Sequence, residues 1–129
     1  MNKQIKTVFS ALVMANMLAL TSPAHAQDGA MTVETFLATA ADIPRNPSSL
    51  FRSDARRLLR EVQAATRTLR DQERRAREAG RTPATCLPPS VGLGADAIIA
   101  RFSAIPPARR GMTVTQAMRE WMAEAHPCS

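Results

Sequence analysis

The chain has 129 residues, with 17 lysine and arginine residues against 11 acidic residues and a formal net charge of +6. Aromatic side chains make up 4% of the sequence and tyrosine is absent, which argues against an aromatic stacking platform for single-stranded nucleic acid. The length fits one small domain and excludes a large catalytic fold.

The first 26 residues have the organisation of a secretory signal peptide. Lys3 and Lys6 give a positive start, residues 8–20 are rich in apolar side chains, and Ala24-His25-Ala26 supplies small residues around a cleavage point. A membrane anchor, the alternative, needs roughly 20 apolar residues, whereas this stretch has about 13. We therefore predict cleavage near Ala26. The product is a periplasmic or secreted domain, residues 27–129, with a net charge of +4 and no integral membrane segment.

Cys86 and Cys128 are the only cysteines of the chain. In an oxidising compartment such a pair closes as a disulfide, which here would enclose about 43 residues and stabilise the fold by on the order of 4 kcal/mol in the chain-entropy model. The competing interpretation is a metal site that includes His126, but two thiols and one imidazole lack the paired spacing of a zinc motif. We predict the disulfide, with no metal site and no cofactor.

Capping residues and prolines delimit the first helix. Thr32 is suited to the N-cap position, and Phe36 lies four positions into the helix as part of a hydrophobic staple. The helix is predicted to end near Ala41, because Pro44 and Pro47 then interrupt the chain.

The second helix is predicted over residues 53–79, which corresponds to about 40 Å. Its apolar residues recur at alternating spacings of four and three, a nearly heptad pattern that indicates an amphipathic helix. The predicted stripe contains Phe51, Ala55, Leu58, Val62, Ala65, Leu69, Gln72, Ala76 and Ala79, and Leu59 is expected to widen it. Gly80 is placed to end the helix in a left-handed conformation.

The long helix and its flanks, residues 52–81, contain ten arginines and five acids. Two pairs have the favourable i to i+4 order, Asp71 with Arg75 and Glu73 with Arg77. Two interpretations are open: a solvated charged face, or an exposed basic ridge that docks an acidic partner. The ridge would be centred on Arg70, Arg74, Arg77 and Arg81.

A loop and a third helix follow the first cysteine. The motif Leu87-Pro88-Pro89 with Gly92 and Gly94 predicts irregular structure. The third helix is expected over residues 95–104, before Pro106-Pro107 ends it. Ile98, Phe102 and Ile105 are expected to face the core.

A last helix is predicted from Thr113 and Gln116, which have the spacing of a capping box. Its apolar stripe contains Met118, Trp121, Met122 and Ala125. Met31-Thr32-Val33 recurs as Met112-Thr113-Val114, which we interpret as the same cap chemistry used twice. No alternating strand pattern occurs in the sequence, so we predict an all-α fold, a small bundle of about four helices with one long central helix.

The sequence offers little for catalysis, and we predict that the protein is not an enzyme. A serine triad needs a histidine base, and after the signal segment the chain has only His126, which is placed to cap the last helix. Glu120 and Glu124 lie one helical turn apart, but Arg119 and a polar face indicate solvent exposure instead of paired acid–base chemistry.

Three short motifs occur together in the C-terminal part of the chain: Cys86-Leu87-Pro88-Pro89, an Ile-Pro-Pro turn, and an amphipathic helix ending in Pro127-Cys128. With the signal peptide and the small helical domain, they resemble the Tai/Rap family, periplasmic immunity proteins that neutralise peptidoglycan amidase effectors of type VI secretion. The match covers residues 86–128. The resemblance implies a helical domain, a Cys86–Cys128 disulfide, homodimerisation and binding to a secreted cell-wall amidase.

The leading hypothesis is therefore a non-enzymatic periplasmic binding protein of the immunity type. The candidate contact surfaces are the basic ridge, the turn at Arg109 and Arg110, and the loop of residues 86–94. The alternative interpretation of the turn and the loop is that they are ordinary connecting segments. The alternative is a structural or stress-related envelope protein that binds anionic polymers or a membrane surface through its arginine-rich helix. Nucleic acid is not an expected partner, because export removes most of it from reach.

Overall fold

Four α-helices make up the fold of residues 29–129, the part of the chain that the computed structural model describes. The predicted signal peptide lies outside these residues. In chain order the elements are α1 (Val33–Ala41), a first 3₁₀ turn (Pro47–Phe51), α2 (Ser53–Glu78), α3 (Ala95–Ser103), a second 3₁₀ turn (Pro107–Arg109) and α4 (Val114–Ala125). No strand occurs within residues 29–129, so the predicted all-α bundle with one long helix is confirmed.

The two Met-Thr-Val motifs cap α1 and α4 and also pair with each other. Thr32 Oγ1 accepts a hydrogen bond from the Thr35 N–H at 3.2 Å, and Thr113 Oγ1 accepts one from the Gln116 N–H at 3.1 Å. Between the motifs, the Val33 N–H donates to the Met112 carbonyl at 2.9 Å and the Val114 N–H donates to the Met31 carbonyl at 2.8 Å. This antiparallel bridge joins the first turns of both helices.

The capping box of α4 forms only in part. Thr113 caps the helix as predicted, but the Gln116 side chain donates to Glu120 Oε1 at 3.4 Å. Along the predicted stripe, Met118 and Met122 are buried and Trp121 is half-buried, while Ala125 is exposed. Ala125 is the last residue of α4.

The long helix α2 ends as the sequence predicted. Gly80 has a φ of +68°, the Arg81 N–H donates to the Ala76 carbonyl at 2.8 Å, and the Gly80 N–H donates to the Arg77 carbonyl at 3.0 Å. This pair of hydrogen bonds is the Schellman motif, in which a left-handed residue satisfies the last carbonyls of the helix. The helix itself ends at Glu78, and Ala79 is its C-cap.

The core lies where α2 packs against α4 and α1. Its largest fully buried side chains are Phe102, Met118, Met122, Val33 and Val114. Phe36 of α1 and Phe102 of α3 meet edge to face, with ring centroids 5.2 Å apart.

The apolar stripe of α2 is narrower than predicted. Leu58, Val62 and Leu69 are buried as expected. The expectation for Phe51 and Leu59 is wrong, because Phe51 is 81% exposed and Leu59 is 55% exposed. Phe51 belongs to the 3₁₀ turn before the helix and is therefore out of helical register, and no element packs over the flank of α2 that carries Leu59.

The disulfide between Cys86 and Cys128 is present, with the Cα atoms 4.9 Å apart. Next to it, the Cys86 N–H donates to the carbonyl of His126 at 2.9 Å, and His126 is the C-cap residue of α4. Both thiols are thus used by the covalent bond, which rules out the alternative metal site that would have needed them. The disulfide fastens the loop of residues 86–94 to the C-terminal end of the bundle.

Glu61 fastens the start of the described chain to α2. Its Oε2 accepts hydrogen bonds from the Gly29 N–H at 2.5 Å and from the Met31 N–H at 3.3 Å, and Glu61 is only 4% exposed. On the other side, Thr115 Oγ1 donates to the Gly29 carbonyl at 2.8 Å. A buried carboxylate is stable only when it is hydrogen-bonded, and here backbone N–H groups satisfy it.

Candidate protein-binding groove

An apolar groove of about 410 Å³ lies between the C-terminal end of α1, the first 3₁₀ turn, the N-terminal half of α2 and α3. Its floor consists of buried core side chains, Phe36, Leu58, Val62 and Ile98. Its walls are less buried apolar residues, among them Ile43, Leu50, Leu59, Leu93 and Ile99. The groove is therefore the place where the hydrophobic core of residues 29–129 opens to the surface.

Exposed apolar side chains continue the groove onto the surface. Leu50 is 73% exposed, and with Phe51 and Leu59 it makes up the exposed large hydrophobic residues of the described part of the chain. Leu50 and Leu59 line the groove and Phe51 directly follows Leu50. Scattered exposed leucines are ordinary, but exposed apolar side chains grouped around a groove are typical of an interaction site.

Helical periodicity alone does not predict this groove, although two local features of the sequence indicate it. Leu50-Phe51 is an apolar pair between Pro47 and the start of the long helix, in a segment too short to bury both side chains. Leu58-Leu59 is an apolar pair on an amphipathic helix, where two adjacent positions point about 100° apart, so only one of them can face the centre of the core.

Ion pairs border the groove on two sides. Arg45, in the segment after α1, pairs with Asp96 in the first turn of α3. Arg52 Nη2 and Asp54 Oδ2 are 2.7 Å apart at the start of α2, and the hydrogen bond from Arg52 holds the pKa of the Asp54 carboxyl below its ordinary value. Each of these ion pairs combines one arginine with one aspartate, so neither adds net charge to the border of the groove.

The solvent-facing side of α2 beside the groove has uncompensated positive charge. Between residues 55 and 70 the only acid is Glu61, and its carboxylate is buried against the backbone of residues 29 and 31. The exposed arginines of the same stretch are Arg56, Arg57, Arg60 and Arg67. As far as residues 29–129 are concerned, none of these four forms an ion pair. We call them the α2 arginine surface.

The predicted basic ridge is different, because two of its arginines hold the loop of residues 86–94. Arg70 Nη2 donates to the carbonyls of Pro88 and Pro89, at 2.9 and 3.0 Å. Arg77 Nη2 donates to Glu73 Oε1 at 2.8 Å and to Cys86 Sγ at 3.3 Å. Both arginine side chains are therefore hydrogen-bonded to the loop that begins at Cys86.

Glu73 connects the ridge to the same loop. Its Oε2 accepts a hydrogen bond from the Leu87 N–H at 3.1 Å, while Oε1 binds Arg77. Burial raises the pKa of this carboxyl, but the hydrogen bonds from Arg77 and from the Leu87 N–H outweigh burial, so its pKa lies below the ordinary value. The carboxylate form is thus the one that the fold stabilises.

The remaining ridge arginines lie at the far end of α2. Arg74 pairs with Asp71 at 2.8 Å and approaches Glu78 at 3.8 Å. The expected pairing of Asp71 with Arg75 is wrong, since Asp71 takes the arginine three residues on, while the expected Glu73–Arg77 pair is confirmed. Arg81 follows the helix and is exposed.

The turn at residues 109–111 also uses its arginines within the domain. Arg109 Nη2 and Glu120 Oε2 are 2.9 Å apart, and this hydrogen bond lowers the pKa of Glu120, with a further contribution from Gln116. Arg110 donates to the carbonyls of Ile105 and Ser103, both at 2.9 Å. These contacts fix the connection between α3 and α4.

Glu124, the other half of the carboxylate pair considered for catalysis, binds Arg101 at 2.6 Å. Glu120 and Glu124 therefore each face an arginine. Elsewhere in the described chain, histidine, cysteine and acidic side chains form no cluster of three that would suit a metal ion. Among the helices of residues 29–129, none is both long enough and apolar enough to cross a bilayer.

Comparison of the chain with protein-family models, curated proteins and solved structures finds no match. The similarity to Tai/Rap immunity proteins consequently rests on the short motifs of residues 86–128 alone.

Proposed function

We propose that this protein is a non-enzymatic binding protein that docks a folded protein partner through an exposed apolar face. The observation that carries the proposal is an apolar groove lined by the exposed Leu50 and Leu59, with the exposed Phe51 next to Leu50 in the chain. The side chains on the floor of the groove belong to the buried core, whereas Leu50, Phe51 and Leu59 are left uncovered by residues 29–129. Burial of such a face against a partner is favourable by roughly 25 cal/mol per Å² of apolar surface.

The specific form that we propose is an inhibitor of a secreted peptidoglycan amidase, acting in the periplasm. The similarity of residues 86–128 to immunity proteins supports this form, and the disulfide is compatible with an oxidising compartment. An inhibitor of this kind needs no catalytic group, because it acts by covering the active site of the enzyme with a well-packed surface.

The test is affinity capture with the full chain, tagged after Ser129 and purified after export. The immobilised protein is exposed to secreted and periplasmic proteins at about 0.15 M and then about 1 M salt, and retained proteins are identified by mass. We expect one small amidase to survive the high-salt wash and to lose its activity on peptidoglycan when the purified protein is added. Retention of no protein at either salt concentration would contradict the proposed function.

The second candidate is an envelope protein that binds anionic polymers or a membrane surface. The α2 arginine surface favours it, because its four arginines are exposed and form no ion pair within residues 29–129. Contacts between exposed charges are strongly screened by salt, so this candidate predicts retention of polyanionic or envelope material at low salt and its release at high salt.

A further inference from the structure

We infer that the groove binds an acidic amphipathic helix of a protein partner, with the apolar face of that helix in the groove and its acidic flank against Arg56 and Arg60. This inference rests on the proposed function, and it adds the chemistry of the segment that the partner inserts and the direction in which its charges point.

The shape of the apolar surface favours a helix. The groove runs between α2 and α3, its wall includes Leu50, and the exposed Phe51 follows Leu50 directly in the chain. A single acyl chain lying in the groove would contact Leu50 but would leave Phe51, which is outside the groove lining, exposed. A helix with side chains is about 10 to 12 Å wide, so it covers the groove and the adjoining side chains together.

The charge distribution favours an acidic flank on one side only. Arg56 lines the groove, and Arg60 and Arg67 follow it along α2 at spacings of four and seven residues, which keeps the three on one side of the helix over about 16 Å. The opposite border is neutralised by the Arg45–Asp96 ion pair. Acidic side chains of a partner would therefore meet complementary positive charge on the α2 side of the groove.

The same charges disfavour a second copy of this chain as the occupant. A symmetric dimer joins the same patch on both subunits. Packing two grooves face to face about an axis that crosses the groove would bring the Arg56 and Arg60 of one copy close to those of the other, and like charges at an interface are unfavourable. A partner with acidic residues removes this repulsion.

The experiment selects peptides on the purified exported protein. A displayed library of random peptides of about 16 residues, about 24 Å as a helix, is selected on the wild type with counter-selection on Leu59→Glu. We expect the enriched peptides to share apolar residues at i, i+3 or i+4, and i+7 and to carry acidic residues on one flank. Enrichment of peptides without this pattern, or of none, would overturn the inference.

Charge reversal then tests the orientation. For an enriched peptide we expect Arg56→Glu with Arg60→Glu to weaken binding by about tenfold or more, and the peptide with lysine in place of its acids to regain binding to that variant. The matched control, Arg75→Glu with Arg81→Glu, makes the same change in net charge near the C-terminal end of α2, away from the groove, and should change affinity by less than about twofold. Equal losses in the two double variants would contradict the assignment.

Three other outcomes separate the competing explanations. Binding of phosphatidylglycerol vesicles but of no peptide would move the site to a membrane surface and overturn the inference. A dimer that sedimentation detects in the wild type and loses in Leu59→Glu would assign the groove to a second copy and overturn it as well. An amidase captured equally by wild type and Leu59→Glu would overturn the inference and the groove as the docking face, and would leave only the amidase-binding role of the proposed function.

Discussion

At the scale of single residues, Gly29 and Gly80 both adopt a backbone conformation that favours glycine, but they differ in the space around them. Both have positive φ, +89° and +68°, a region that side chains other than glycine disfavour. At Gly80 an added Cβ would meet nothing within 4 Å, so only the backbone matters. At Gly29 the Cβ would lie 2.9 Å from Thr115 Oγ1, the atom that binds the Gly29 carbonyl.

Alanine substitutions at three glycines should therefore rank in a definite order. We expect Gly29→Ala to lower the free energy of unfolding by about 2 to 3 kcal/mol, from strain and crowding together. Gly80→Ala should cost about 1 kcal/mol, and Gly92→Ala, which has open space and no positive φ, should change stability by less than about 0.5 kcal/mol. Urea unfolding followed by circular dichroism measures all three, and equal effects would contradict the ranking.

Glu73 should make stability depend on pH. Its pKa is lower in the folded state than its ordinary value, so it stabilises the fold above the unfolded pKa, about 4.3, and this contribution is lost as the pH falls through the folded pKa. We expect Glu73→Gln to be less stable than the wild type near pH 6 and the difference to shrink towards pH 3. Denaturant midpoints across this range test it, and a constant difference would show that protonation of Glu73 does not contribute.

At the scale of elements, α2 combines two different surfaces on one helix. Its N-terminal half packs Leu58 into the core and presents Leu59 and the α2 arginine surface to solvent. Its C-terminal half buries little beyond Leu69, and instead its charged side chains hold the loop of residues 86–94 through Arg70 and Glu73. The helix is therefore a core element at one end and a support for the loop at the other.

Adjacent leucines on α2 give a matched test of this arrangement. Leu58 is 8% exposed and Leu59 is 55% exposed, so their truncation removes the same atoms from different environments. We expect Leu58→Ala to lower the free energy of unfolding by about 2 to 5 kcal/mol and Leu59→Ala to change it by less than about 1 kcal/mol. Chemical denaturation measures both, and a cost at Leu59 as large as that at Leu58 would mean that the groove is closed in solution.

At the scale of the whole molecule, two sets of contacts hold the first and the last residues of the described segment, 29–129, to the bundle. At the N-terminal side, Glu61 and Thr115 bind the backbone of Gly29. At the C-terminal side, the disulfide joins Cys86 to Cys128 across 42 positions of sequence. Because a domain of this size buries a limited core, links between distant segments account for a large share of its stability.

Loss of the disulfide should be one of the larger single effects. We expect Cys128→Ser to lower the free energy of unfolding by about 2 to 5 kcal/mol under oxidising conditions, because the open chain gains conformational freedom when unfolded. The control is the wild type with a thiol reductant, which should fall to a stability similar to that of the variant. Two reactive thiols in the oxidised, exported protein would contradict the bond itself.

The sequence by itself determined the four helices, the Gly80 helix end and the cysteine pairing. These features depend on short-range physics: caps and apolar periodicity act within one or two turns, and two cysteines allow a single pair. Their bounds were predicted to within a residue for α1, α2 and α3. The contact between the two Met-Thr-Val motifs was not predicted, because it joins segments about 80 residues apart.

The tertiary structure decided which side of α2 is covered, and with it the candidate site. Leu59 is exposed because neighbouring elements leave its flank open, and Glu61 is buried because the backbone of Gly29 folds against it. Because Glu61 is buried, the solvent-facing surface of residues 55–70 carries arginines without an acidic side chain. Arg70 and Arg77 of the predicted ridge instead donate hydrogen bonds to the loop of residues 86–94. Helical periodicity specifies the direction in which a side chain points from its own helix. Which element packs against that side of the helix depends on contacts between distant segments.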